Sequence, residues 1–243
     1  MVAGSNVVLI GGQAVAIWGA QLMTYLPAGQ APVTSRDVDF QGERSDVELA
    51  AQLLGGRLYV PRFDDVTPQT GKAVFVDSEG YERTLDFLAE PHGLIAEDVR
   101  RTAVPIRIAM EDGREIPLWV MHPERCLRSR VANTSLPGKR TALARRQLDA
   151  AIQLVPAFGR FLLDEGIDPR VVTKLNERVF ELARYDKNAM RLWLEDGIDV
   201  LDALLADDRL PEAHRATRLP QIRAEVAKQR DHRRAVIARR GDG

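Results

Sequence analysis

Val7-Val8-Leu9-Ile10-Gly11-Gly12, followed at an interval by Ser35-Arg36-Asp37-Val38-Asp39-Phe40, is the stretch that decides the fold. The first segment is an apolar run broken by two glycines. It reads as a short strand, Val7 to Ile10, that turns into a helix over Gln13 to Tyr25. A helix N-terminus behind a glycine turn offers unpaired N–H donors and the positive end of the dipole to a phosphate. The second segment sets two carboxylates two residues apart between apolar flanks. On a strand, residues i and i+2 share a face, so Asp37 and Asp39 are expected about 7 Å apart on one side. Carboxylate oxygens in that arrangement can hold Mg²⁺.

Working outward, Leu26 to Thr34 contains Pro27, Gly29 and Pro32 and reads as a loop returning the chain to the Asp37 strand. Ser45-Asp46-Val47-Glu48 has capping-box spacing, which predicts a helix from Ser45 to Gly55-Gly56. The period then changes to that of strands. Lys72 to Val76 and Tyr81 to Leu88 flank the turn Asp77-Ser78-Glu79-Gly80, and Pro105 to Met110 and Glu115 to Val120 flank Glu111-Asp112-Gly113-Arg114. Both read as hairpins. Within the first, Asp86 sits among Leu85, Phe87 and Leu88, where strand propensity disfavours it. It is either solvated at an edge or turned toward Asp37 and Asp39 as a third metal ligand. Three converging carboxylates repel one another. Replacing Asp39 with Ala is therefore expected to leave metal-free stability unchanged or to raise it.

From His122 onward strand signals stop, which places a boundary near Pro123. Ala144, Leu148, Ala151, Ile152 and Val155 fall at helical spacing, as do Val172, Leu175, Val179, Leu182 and Ala183. Asp168-Pro169 supplies an N-cap and a first-turn proline for the second of these helices. Further helices are expected at Ala189 to Glu195, Asp199 to Ala206 and Gln221 to Arg239. The organisation is thus α+β: a mixed β-sheet with flanking helices over residues 1–122, then an α-helical domain over 123–243 that ends in a basic helix.

At 243 residues, 45% hydrophobic and 28% charged, the chain can bury a sizeable core. Its formal net charge of −1 gives no global reason to expect an acidic partner. The charge is uneven, however. From Ala213 to Gly243 there are nine Arg or Lys against three Asp or Glu. Arg230, Arg233 and Arg234 in that tail can follow an RNA backbone, since phosphate contacts need only cations; a solvated terminal helix explains the same residues. The single Cys126 precludes an internal disulfide and points to a reducing cytoplasm. Residues 1–35 carry no charge, but the glycine pair and two glutamines interrupt the apolar run, so a buried strand and helix are expected rather than a membrane span.

Other features have simpler explanations. Thr70-Gly71-Lys72 lacks the upstream glycine of a phosphate-binding loop and reads as a turn. His92, His122, His214 and His232 share no zinc-ligand spacing. Trp18, Trp119 and Trp193 read as core aromatics.

Gly11, Gly12, Asp37, Asp39 and Asp86 together resemble the DNA-polymerase-β-like nucleotidyltransferases, and within them the abortive-infection, toxin-like branch. The likeness covers about the first 120 residues. It implies a Mg²⁺-dependent transfer of a nucleoside monophosphate from a nucleoside triphosphate, with two Mg²⁺ ions, or Mn²⁺ in their place, on Asp37, Asp39 and Asp86. It also implies that Asp86 helps activate the attacking hydroxyl and that the glycine turn holds phosphates. Ser35 and Arg36 lie where they can touch the triphosphate, and Arg130 stands for the basic residue such proteins carry on the first helix after the catalytic domain. Arg146 with Asp149 corresponds only loosely to a second basic and acidic pair, and the interval from Gly12 to Asp37 is longer than in compact members. The implied partners are a nucleoside triphosphate, a tRNA or other RNA acceptor and a cognate antitoxin protein, with no membrane. Two alternatives stand beside this: nucleotidylation of a protein hydroxyl, and a silent nucleotide- or partner-binding module of the same fold.

Overall fold

The computed structural model describes residues 7–27, 38–62, 64–65, 67–110, 112–136 and 138–241. Ser35, Arg36, Asp37 and most of the Leu26 to Thr34 loop lie outside them. The chain divides into two compact units, Met1–Gln21 with Ala31–Asn133, and Leu22–Gln30 with Thr134–Gly243.

The first unit is built on a mixed seven-stranded sheet with helices beside it, the α+β class expected. Its elements are β1 (Val8–Leu9), α1 (Gly11–Gln21), β2 (Val38–Gln41), α2 (Arg44–Leu53), β3 (Arg57–Tyr59), β4 (Gln69–Val76), β5 (Glu82–Leu88), α3 (Ala96–Thr102), β6 (Val104–Ala109), β7 (Glu115–Val120) and α4 (Pro123–Thr134). The strands lie in the order β3-β4-β5-β2-β1-β7-β6. β2 runs antiparallel to β1 and parallel to β5. The core gathers where β1 and β7 meet α1 and α4: Val8, Leu9, Ile10, Val15, Trp18, Val120, Met121, Leu127 and Val131 are all buried. The Trp18 indole donates to the Met121 carbonyl at 2.8 Å, so its one polar atom is satisfied.

Several local expectations change. α1 starts at Gly11 instead of Gln13 and stops at Gln21; Met23–Tyr25 is a separate 3₁₀ turn belonging to the second unit. α2 begins at Arg44, because Glu43 and Asp46 form the reciprocal capping box in place of Ser45 and Glu48. The short edge strand β3 and helix α3 have no counterpart in the sequence reading. Thr70-Gly71-Lys72 is the interior of β4, not a turn. Trp119 is 41% exposed on β7 rather than part of the core.

The second unit is helical: α5 (Ala142–Asp164), α6 (Pro169–Tyr185), α7 (Lys187–Asp196), a 3₁₀ turn at Val200–Ala203, and α8 (Leu219–Gly241) entered through a π-helical turn at His214–Arg218. Asp168 caps α6 as expected, accepting from the Arg170 amide at 2.9 Å. Leu163, Val172, Leu205 and Leu210 form one buried cluster. Asn176 ties the unit together: its Oδ1 accepts from the Leu205 amide at 2.9 Å, and its Nδ2 donates to the Leu205 carbonyl and to His214 Nε2 at 2.9 and 3.0 Å.

That network fixes His214 as a neutral imidazole accepting at Nε2. Burial holds its pKa below the ordinary value, with Arg218 adding to the effect and Glu177 opposing it. A folded-state pKa below the unfolded one means that stability is complete above about pH 6.5 and is lost as pH falls through that value. Melting temperatures measured from about pH 7.5 down to about pH 5.5 should therefore fall more steeply in the unmodified chain than in His214→Gln.

Candidate active site

The site starts at the junction of β1 and α1. Gly11 has φ +70°, and a Cβ built on it would lie 2.1 Å from Asp39 Oδ2. The Asp39 carboxylate therefore packs directly on the bare Cα of Gly11, which only glycine permits. The Ile10 amide donates to the Asp39 carbonyl at 2.9 Å, fixing the two strands at this level. Gly11 and Gly12 are both buried at the start of the helix.

The parallel pairing of β2 with β5 brings the second carboxylate in. Asp39 and Asp86 are register partners, flanked by Val38 with Leu85 and Phe40 with Phe87. Register partners point to the same face, so the two carboxylates stand side by side. The Phe40 and Phe87 rings stack on the other face at 5.5 Å. Asp86 Oδ1 accepts from Gln69 Nε2 at 2.6 Å and forms an ion pair with Lys72 Nζ at 2.9 Å. Its other oxygen is bonded to nothing among the described residues. Lys72 is the β4 register partner of Asp86.

Arg130 reaches the same corner from α4. Burial lowers the pKa of its guanidinium, and the negative charge of Asp39 opposes that fall. The desolvated guanidinium thus has the negative charge of Asp39 near it. One turn earlier, burial pushes the Cys126 thiol up to about 12, and its Sγ lies 3.4 Å from the Met121 carbonyl. Cys126 should therefore resist thiol reagents in the native state and react at the free-cysteine rate only in denaturant, as a dithionitrobenzoate assay with and without urea will report.

Of the expected site residues, Asp39, Asp86, Gly11 and Arg130 come together in this unit, whereas Asp37, Ser35 and Arg36 lie outside the described residues. Among the described residues no three His, Cys, Asp or Glu side chains group as metal ligands. The pair that is present fits a hard divalent cation in kind, since it offers carboxylate oxygens. Lys72, Gln69 and Tyr59 were missed from sequence, because a lysine and a glutamine at a strand's beginning carry no motif.

The basic tail needs a correction. Arg230 does not face an RNA backbone: its side chain is 7% exposed and binds Asp199 through two 2.6 Å hydrogen bonds. The buried guanidinium of Arg230 requires a fixed counter-charge, which the half-buried Asp199 supplies. The Arg230 and Arg234 guanidinia lie over the Trp193 ring at 4.7 and 4.0 Å. Arg233 is exposed on α8. Asp149 is paired with Arg145 at 3.3 Å. Among the described residues no helix is long and apolar enough to cross a membrane.

No protein-family model matches the chain, and no curated protein matches it. Among solved structures it is similar to an antigenic nucleotidyltransferase-like protein from Paracoccidioides brasiliensis, at 15% identity and a TM-score of 0.34, over 70% of this chain and 83% of that one. A superposition that loose assigns neither fold nor activity.

Proposed function

We propose that the chain is a Mg²⁺-dependent nucleotidyltransferase that moves a nucleoside monophosphate from a nucleoside triphosphate to an RNA end. The observation that supports this reading above the others is the in-register pair Asp39 and Asp86, with Asp39 seated on Gly11 at the head of α1. Carboxylates beside a glycine-led helix N-terminus suit a triphosphate and its cation. The bound cation would supply Lewis-acid stabilisation of charge on the phosphates.

The residues of the chain have separate tasks. The Gly11-Gly12 turn faces the triphosphate with backbone donors. Asp39, and Asp37 two residues before it in sequence, would hold the cation. Asp86 takes the proton from the acceptor hydroxyl as that oxygen bonds to the α-phosphorus; the α–β phosphoanhydride breaks, and pyrophosphate leaves with the electron pair. Lys72 and Gln69 align Asp86 through Oδ1. A role as a toxin held by an antitoxin belongs to the same proposal.

A second reading has one observation behind it. The Lys72 and Gln69 contacts to Asp86 resemble a structural ion pair, as a silent binding module of this fold would carry. Incubating the chain with each α-³²P-labelled nucleoside triphosphate, Mg²⁺, total tRNA and cell extract separates the two. Transfer of label to RNA that is abolished by EDTA and restored by Mg²⁺ is the expected result. Mg²⁺-dependent triphosphate binding without any transfer would establish the silent module, and label in protein alone would replace the RNA acceptor with a protein hydroxyl.

A further inference from the structure

The row of register partners continues beyond the carboxylates. Lys72 on β4 stands opposite Asp86, and Tyr59 on β3 stands opposite Lys72. Four neighbouring strands therefore present Asp39, Asp86, Lys72 and Tyr59 in that order across one face. Gly11 and the head of α1 lie at the Asp39 end. At the other end a cleft of about 520 Å³ opens, lined by Tyr59, Pro61, Asp65, Thr67, Gln69 and Lys72.

We infer that this cleft receives the terminal nucleotide of a single-stranded RNA acceptor. The inference rests on the transferase reading for its direction. Phosphoryl transfer places the attacking and leaving oxygens roughly in line. With the triphosphate held at the Gly11 end, the attacking hydroxyl arrives from the far side of Asp86, which is the side on which the cleft lies. The bond changes are those of the proposed transfer: the terminal hydroxyl oxygen joins the α-phosphorus, its proton passes to Asp86, and pyrophosphate departs.

The lining favours a nucleotide over a peptide. The volume falls within the range of small-ligand sites. Tyr59 is 49% exposed and sits on a strand at the sheet edge, a ring available for stacking on a base. The Arg57 guanidinium lies 5.9 Å from that ring, and Lys72 is half exposed beside it. An exposed aromatic flanked by cations is how single-stranded nucleic acid is bound without sequence preference. Asp65, Thr67 and Gln69 add hydrogen-bonding groups suited to ribose hydroxyls and base edges.

The test is binding, which is read independently of transfer. Anisotropy of a fluorescein-labelled single-stranded RNA of mixed sequence is titrated with the full chain at fixed salt without triphosphate, for the unmodified protein, Tyr59→Phe, Tyr59→Ala and Thr67→Trp. Tyr59→Phe should bind as the parent does, and Tyr59→Ala should bind about tenfold more weakly. Thr67→Trp, at an exposed loop position, should block the cleft and weaken binding to a similar extent, with the melting temperature of each variant confirming that it folds. Unchanged affinity in both Tyr59→Ala and Thr67→Trp would overturn the inference, whatever the transfer assay gives. Displacement of the RNA only by a protein acceptor that takes up label would overturn it in favour of a peptide. RNA binding that follows these variants in a chain that transfers no nucleotide would uphold the cleft and remove the transferase reading alone.

Discussion

Asp39→Asn should reduce nucleotidyl transfer by at least about a thousandfold while the chain still folds. The substitution keeps the shape of the side chain on Gly11, so the contact at the head of α1 survives, but it removes the negative charge beside Asp86. A neutral amide no longer serves as an anionic ligand for a divalent cation. The structure also sets an opposing contribution against an expectation about stability. Repulsion among carboxylates alone predicts that metal-free stability is unchanged or rises when Asp39 is lost. The Arg130 guanidinium, desolvated in α4 with Asp39 among the charges that support it, opposes that outcome. Removing the charge should lower stability by about 2 kcal/mol. Transfer of label and urea unfolding, measured on the same preparation, check both parts. Full transfer by Asp39→Asn would remove the carboxylate from the reaction and leave it a structural partner of Arg130.

Gly11→Ala has the second large effect, and it acts through geometry. Gly11 occupies φ +70°, where an L side chain costs about 1 to 2 kcal/mol. The new methyl would also lie 2.1 Å from Asp39 Oδ2, so the carboxylate must move. Displacement of a ligand by about 1 Å can cost about a hundredfold in rate. Transfer should fall by that order, and stability should fall with it. Gly19→Ala is the control on the same helix. Nothing lies within 4 Å of a Cβ there, and a helical glycine replaced by Ala should gain about 0.5 to 1 kcal/mol without loss of transfer. If Gly11→Ala behaves like Gly19→Ala, the turn is not part of the site.

Much of the local structure was legible because it is set by short-range chemistry. The apolar run ended by Gly11-Gly12 gave β1 and α1, the Asp168-Pro169 pair marked the start of α6, and Glu115 to Val120 is a strand with the bounds its alternation suggests. The strand setting of Asp39 and Asp86 was also readable, since an acid among apolar neighbours contradicts local propensity. What the sequence concealed was pairing. A four-residue turn over Asp77 to Gly80 would set Val76 opposite Tyr81 and Gly71 opposite Asp86. In the structure Asp77 accepts from the Glu79 and Tyr81 amides and from Arg83, drawing Tyr81 into the turn. Register moves by one residue, Val76 meets Glu82, and Lys72 faces Asp86. One residue of slip sends every side chain of a strand to the other face.

The tail shows the same division. Its excess of arginine is a property of composition, and the helix that carries it follows from periodicity. Which arginine stays available to a partner depends on Asp199 and Trp193, about thirty to forty residues away in the chain, which take Arg230 out of solvent. The sequence by itself determined most of the elements, the glycine turn and the acidic strands, because propensity, period and spacing act over a few residues. Only the tertiary structure decided that Asp39 lies beside Asp86, that Lys72 completes the pair and that Tyr59 opens a cleft next to it. Those neighbours are made by strand register and parallel pairing, which join residues distant in the chain and leave no local signal.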